Sequence, residues 1–424
     1  MVHFHKIKPL VFFFILSCNI NFIFCQEYNI DVWSYNGEKD YWWLIHNNEG
    51  RYIHKDNLNF DFFHERSKFE YKINLSNSFS RTEKLSFGES FIKYYLDNNL
   101  YLRAGKYYRD FSLYLNDELS TGSMLISKNA QPLKKIGFVG TYSLKKKDDF
   151  IFKWGISHGV FKKNKYYTDA PYLHEKFLYL NIKQNEKNHI SLGFVHEAIW
   201  AGTTTMLGSS NNPGNQPDSF KDFLRVFISA DGQQIPGEPH ANALGSHIGI
   251  WDFNFLRSNM DKTFQIYYQH YFEDTSSLRF ANKTDGLWGI ELKNYFPQTE
   301  LLVEYVNTSN CCINPPYQDD DYYFNYQYRD GWRYDNNIIG NPFINYYKSR
   351  DKIKLFHAGF TTNKEKITLK MKASKITSRN DLVKFQASLI RKFKQTEYYL
   401  FIVGNQENQS FGLGLSYEIN NNNL

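Results

Sequence analysis

Apolar and polar residues alternate with a period of two in segment after segment of this 424-residue chain. From Phe69 to Phe79, the side chains of Phe69, Tyr71, Ile73, Leu75 and Phe79 fall on one side of an extended backbone. Glu70, Lys72, Asn74, Ser76 and Ser78 fall on the other. Phe264–Phe272 repeats the pattern, with Phe264, Ile266, Tyr268 and Phe272 against Gln265 and Gln269, and so do Ile367–Ser374 and Phe411–Ile419. A strand turns successive side chains to opposite faces, so each segment is a strand with one apolar and one polar face. Phe91–Leu96, Leu100–Tyr107, Ile151–Val160, Phe177–Ile182, Ile190–Glu197, Leu301–Thr308, Ile353–Phe360, Leu382–Phe393 and Tyr398–Val403 carry the same signature. The chain is therefore all-β.

Two architectures use such strands. A soluble sandwich hides the apolar faces in a core. A transmembrane antiparallel β-barrel turns them to lipid and keeps the polar faces toward a wet lumen, with strands of ~9–11 residues and aromatic girdles at both interfaces. Composition excludes other classes. Aromatic residues make up 18% of the chain, yet mean hydropathy is −0.56. Disordered chains are poor in rings, and beyond residue 25 no apolar run approaches the ~18–20 residues of a spanning helix. The long polar alternation, the terminal strand and ring pairs such as Tyr107-Tyr108, Tyr166-Tyr167, Tyr346-Tyr347 and Tyr398-Tyr399, read as girdle residues, favour the barrel. The excess of 50 basic over 44 acidic residues is too small for a nucleic-acid footprint.

The N-terminus reads as an export signal. His3, His5, Lys6 and Lys8 precede a short apolar core at Leu10–Leu16, and Gln26-Glu27 turns polar after Cys25. Residues 1–25 are expected to be cleaved, leaving 26–424 as one barrel domain. The rival reading is a lipoprotein box at Ile15-Leu16-Ser17-Cys18. Beyond this segment only the adjacent pair Cys311-Cys312 remains, which makes no disulfide framework and no metal site.

Two long stretches break the alternation. Residues 198–249 are rich in Gly, Thr, Asn, Pro and Ser. Within them Phe220, Phe223, Leu224, Phe227 and Ile228 recur at helical spacing after a capping Asp218 or Ser219. This predicts a short amphipathic helix over Asp218–Ala230 that packs on the barrel wall, fills the lumen or acts as a lid. Residues 307–345 hold an acidic run and a cluster of Tyr and Trp.

No catalytic motif stands out, and His196-Glu197 lacks the second His of a zincin helix. Glu238, His240, Asp231 and Asp252 form a polar set for which ordinary loop residues are the simpler account. Neither a metal nor another cofactor is expected. Glycan binding has a firmer physical basis. Sugar rings stack their apolar faces on aromatic side chains, and their hydroxyls pair with amides, carboxylates and guanidinium groups. Tyr326, Arg329, Asp330, Trp332 and Tyr334 supply that mixture in one loop, and Trp200, Asp222, Arg225 and His240 in the other.

The loops also carry a family resemblance. Leu119–Leu133 (LSTGSMLISKNAQPL) resembles a block of the capsule assembly Wzi family. Ser219–Phe227, Leu244–Asp252, His270–Asp274, Asp285–Glu291, Asp330-Gly331-Trp332 and Ile339–Pro342 follow in the family's order, in its Bacteroidetes-type form. The resemblance implies an outer-membrane barrel of about 18 strands that binds or anchors a surface polysaccharide without enzymatic turnover. Proteobacterial members add an N-terminal helical bundle. Here Tyr41-Trp42-Trp43-Leu44-Ile45 does not read as helical, and the bundle is expected to be missing. The expected partners are a surface polysaccharide and the lipid of the bacterial outer membrane, with the chain a monomer. The alternatives are a passive channel for small solutes, or an exported carbohydrate-active β protein.

Overall fold

The computed structural model describes residues 27–36, 47–50, 56–78, 85–144, 149–205, 213–232, 241–273, 275–310, 322–344 and 352–420. Residues 1–25, Tyr41–Ile45, His240, Cys311-Cys312 and Tyr346-Tyr347 lie outside this set, and with them the expected export signal and the cysteine pair.

Eighteen strands form one closed antiparallel sheet. In chain order they are β1 (Glu27–Tyr35), β2 (Asp56–Arg66), β3 (Phe69–Ser78), β4 (Leu85–Phe87 resuming as Ser90–Asp97), β5 (Leu100–Lys106), β6 (Lys134–Ser143), β7 (Phe150–Val160), β8 (Tyr172–Lys183) and β9 (Asn188–Trp200). There follow β10 (Ser246–Asn259), β11 (Lys262–Phe272), β12 (Gly286–Lys293), β13 (Thr299–Asn307), β14 (Lys354–Lys364), β15 (Ile367–Ile376), β16 (Lys384–Phe393), β17 (Thr396–Asn405) and β18 (Gln409–Asn420). Each strand pairs with the next, and β1 pairs with β18 from Glu27↔Asn420 to Tyr35↔Gly412, which closes the ring. Closure joins the first strand to the last, so the ladder groups of these two strands find partners without water.

The alternation is read out as the sequence requires. Leu178, Leu192, Ile266, Ile290, Val303, Phe356, Leu400 and Leu413 are exposed on the outer face. Asn59, Glu175, Asp252, Gln265, Gln269, Glu291, Glu304 and Lys372 are buried on the inner one. All the strands expected from periodicity are present, with ends shifted by a few residues. Those not expected, β1, β2, β6, β10 and β12, blur the pattern. In β10 the inward Ile248 and Ile250 are as apolar as the outward Trp251 and Phe253, because the lumen there is filled by protein. The ring pairs are corrected. Neighbours on a strand face opposite ways, so Tyr398 is exposed outside while Tyr399 points inward and donates to Glu397 Oε2 at 2.5 Å. Tyr107 and Tyr108 are buried.

Connections at one end are short, as at 67–68, 98–99, 260–261, 365–366 and 394–395, and both chain ends of the barrel lie there. Connections at the other end run to 107–133, 161–171, 201–245 and 308–353. Outer-membrane barrels keep short turns on the periplasmic side and long loops outside, so the long-loop end is extracellular.

Candidate functional site

The segment 107–133 folds down into the lumen as a plug. It has the composition for this: Ser, Thr, Asn and backbone amides to meet polar walls, and Leu119, Met124, Leu125 and Ile126 to make a dry centre, all buried. Three wall carboxylates receive it. Asp252 accepts from Ser112 Oγ at 2.5 Å, from the Tyr114 hydroxyl, and from Tyr179 at 2.5 Å. Glu291 accepts from Asn116 at 2.7 Å. Glu304 accepts from Ser120 Oγ at 2.6 Å, the Thr121 amide at 2.6 Å and Tyr267 at 2.5 Å. Gln269 Oε1 takes the Met124 amide at 2.9 Å, and a nitrogen of His357 reaches Leu119 O at 2.6 Å. Nearer the rim, Arg103 pairs with Asp110 at 3.0 Å, and Lys135 with Glu175 at 2.9 Å.

A second loop, 322–344, lies over the plug and ties it down. Trp332 Nε1 donates to Leu125 O at 2.6 Å, Asn341 Nδ2 to Gly122 O at 3.0 Å, and Asn129 Nδ2 to Ile338 O at 3.0 Å. The Tyr323 hydroxyl donates to Met124 O at 2.5 Å. Burial pushes the Tyr323 and Tyr328 hydroxyls above the ordinary phenol range. Asp285, at the mouth, accepts from Tyr322 at 3.0 Å and from the Asn310 amide at 2.9 Å. Burial pushes its carboxyl up to about 6 even so.

Beside this cap runs a groove of about 1440 Å³ on the extracellular rim over the ends of β3–β9. It exists because β4 is interrupted. At Gly88 a side chain would collide with Asn74, whose Oδ1 lies 2.0 Å from where its Cβ would be. The next residue, Glu89, pairs with Lys72 at 3.0 Å and Arg103 at 3.3 Å. Above this break Leu85–Phe87 pairs with β3 alone, and β4 meets β5 only from Ser90↔Lys106 downward. The gap is lined by Lys106, Lys134 and Lys162, by Tyr172, Trp200 and Tyr334, and by amides such as Gln131 and Asn336. Lys162 pairs with Asp335 at 2.5 Å, which leaves the rim basic.

The expected site residues divide. Trp200 and Tyr334, far apart in sequence, both line the groove. The buried indole N–H of Trp200 meets no acceptor among the described residues. Tyr334 is buried beside Phe161, and burial raises its hydroxyl pKa. Asp330 accepts from Asn164 at 2.7 Å, and its carboxyl is raised by burial. Tyr326 is 56% exposed, with the Arg329 guanidinium 5.2 Å from its ring centre. Trp332 is only 2% exposed and fastens the plug, so it offers no free ring face. Asp222 and Arg225 lie on the helix α1 (Phe220–Phe227). There Asp222 completes a capping box with Ser219, and Arg225 donates to Asp231 O. The helix packs on the outer wall, away from the lumen: Phe223 meets outward-facing His158, His174 and Trp200. Asp252 is held by plug hydroxyls on the lumen wall, while Asp231 bridges to Ala243 beyond α1. The sequence reading missed Lys106, Lys134 and Lys162, which look like ordinary strand-end lysines until the break in β4 gathers them.

A closed ring of 18 strands with a lipid-facing apolar belt and a lumen stopped by its own loop defines an outer-membrane β-barrel that is plugged. The profile of the capsule assembly protein Wzi family matches residues 35–399, and the chain belongs to this family. Among solved structures it is similar to Wzi of Escherichia coli, described as an outer membrane protein involved in group 1 capsule assembly and a carbohydrate-binding β-barrel. The TM-score is 0.61 at 12% identity, covering 95% of this chain and 86% of that one. A porin triple mutant of Rhodopseudomonas blastica aligns over 93% of this chain and 98% of its own, at 7% identity and a TM-score of 0.41. No curated protein matches the chain by sequence.

Proposed function

We propose that the protein holds a surface polysaccharide at the extracellular end of the barrel, without turning it over, and that the rim groove is its seat. The observation that carries this is the groove itself. It is open to the outside, roomy enough for several sugar units, and lined by the exposed Tyr172 ring for stacking, amides for hydroxyls, and lysines for acidic groups, with Lys162 shared with Asp335. The likeness to a carbohydrate-binding barrel points the same way. The plug counts against a passive channel, since the lumen is occupied by residues hydrogen-bonded to its walls. Turnover has little to work with. The buried carboxylates Asp252 and Glu304 spend their oxygens on plug donors, whereas a general acid–base pair must face its substrate.

The test is retention of the host's own surface polysaccharide by detergent-solubilised protein, comparing wild type with Lys134→Glu/Lys162→Glu. Both side chains are exposed, so the fold survives. A loss of about tenfold or more, equivalent to ~1.4 kcal/mol, is expected. Equal retention removes the groove from the binding surface. Failure of the wild type to retain any polysaccharide overturns the function, and release of shorter oligosaccharides makes the protein an enzyme.

A further inference from the structure

The outer wall of β7–β9 carries a cluster of polar side chains. Toward the extracellular end, His158, His174, Lys176 and His196 all point outward, where lipid-facing barrels carry apolar side chains. These positions are still within the span of the membrane. Lys176 is seven residues from the periplasmic end of its strand at Lys183, His158 eight from Phe150, and His196 eight from Asn188. Spanning takes ~9–11 residues per strand. Bare, this patch would put imidazoles and an ammonium against the outer leaflet.

Helix α1 covers it. Phe223 packs on His158 and His174 with ring centres 5.0 and 5.5 Å apart, and Phe227 on His174 at 5.3 Å. Val226 is buried against Ala198 and Trp200. Lys176 donates to Phe227 O, and Ser229 Oγ lies 3.0 Å from His196 Nε2. The helix thus spends one face on the wall and turns a second apolar line outward. Phe220, Leu224 and Ile228, spaced at i, i+4 and i+8, are 75%, 48% and 71% exposed. Lys221, Asp222 and Arg225 flank that line.

We propose that α1 is an in-plane membrane anchor whose outward line, Phe220, Leu224 and Ile228, inserts among the acyl chains of the outer leaflet. The helix stands on the same wall as the lipid-facing Trp154, Leu178 and Leu192 just below it, so it carries the apolar belt upward over a patch that could not. Amphipathic helices with a charged flank lie at this boundary of headgroup and acyl chain. A second copy of the chain is the poorer occupant. An eight-residue helix is about 12 Å long, and three side chains fall far short of the ~800 Å² per partner that a stable interface buries.

The full chain, with its four cysteines changed to serine, is reconstituted in phosphatidylethanolamine–phosphatidylglycerol vesicles. It carries a nitroxide at one position in turn: Phe220→Cys, Lys221→Cys, Leu224→Cys or Ile228→Cys. Leu178→Cys is the lipid reference and Asn336→Cys the aqueous one. Folding is checked for each by its heat-dependent gel shift. The expected result is helical periodicity in the ratio of oxygen to water-soluble nickel-chelate accessibility. Positions 220, 224 and 228 match 178 and lie several-fold above 221 and 336. Ratios at 220, 224 and 228 equal to that at 336 overturn the proposal by placing the helix in water. So does dipolar broadening between labels on different copies, which makes the face a protein interface.

Discussion

Glu304→Ala should loosen the plug, and the size of the effect follows from the wall contacts. Glu304 is buried and takes three donors: the Ser120 hydroxyl, the Thr121 amide and the Tyr267 hydroxyl. Alanine leaves all three buried without that acceptor, at ~1–3 kcal/mol each. Removing a buried carboxylate returns part of this, because its own desolvation is relieved. A net loss of about 3 kcal/mol in the plug's hold on the wall is expected, or roughly a hundredfold rise in the population of the released plug. The barrel ring does not depend on these contacts, so the protein should remain folded. Single-channel recording in planar bilayers is the assay. The wild type should be silent and Glu304→Ala should show brief openings, because a barrel of 16–18 strands without its plug leaves an aqueous channel. Steady currents from the wild type would refute the reading of 107–133 as a stopper. A silent Glu304→Ala whose plug amides exchange no faster than wild type would refute the energetic argument.

Two further changes probe the cap. Trp332→Ala removes a buried indole and its bond to Leu125 O, a loss of ~3–5 kcal/mol by analogy with other core truncations, and should expose 322–344 to protease. Unchanged proteolysis with lost glycan retention would instead make Trp332 a ligand group. Asp285 has a folded pKa of about 6 against 3.8 for an unperturbed carboxyl, so the folded state holds its proton more tightly than the unfolded one. Its contribution to stability is therefore full below pH 3.8 and is lost as pH rises through about 6, an effect of about 3 kcal/mol. Asp285→Asn should flatten the pH dependence of the heat-modification midpoint across that window, and an unaltered slope would show that Asp285 is not the titrating group.

The cap and groove mark the boundary of what sequence can convey. The period-two pattern in Phe69–Ser78 or Gln409–Asn420 is local, so the strands, their two faces and the barrel were legible, as was the 220–227 helix with its Ser219 cap. Alternation failed where the lumen is dry, as in β10, since inward Ile248 and Ile250 answer to a plug from far earlier in the chain.

The fate of the rings and lysines depended on tertiary structure. Trp332 and Trp200 look alike in sequence, each an aromatic in a polar loop. One is consumed as a fastener over the plug, and the other lines the groove, its buried N–H meeting no acceptor among the described residues. Likewise α1 is amphipathic by sequence, but its place outside the barrel follows from the strand register, which turns His158, His174 and Lys176 outward beneath it. Periodicity fixes which residues share a face, because it depends only on backbone geometry between neighbours. What that face meets depends on loops that return from far along the chain, and only the closed barrel brings them together.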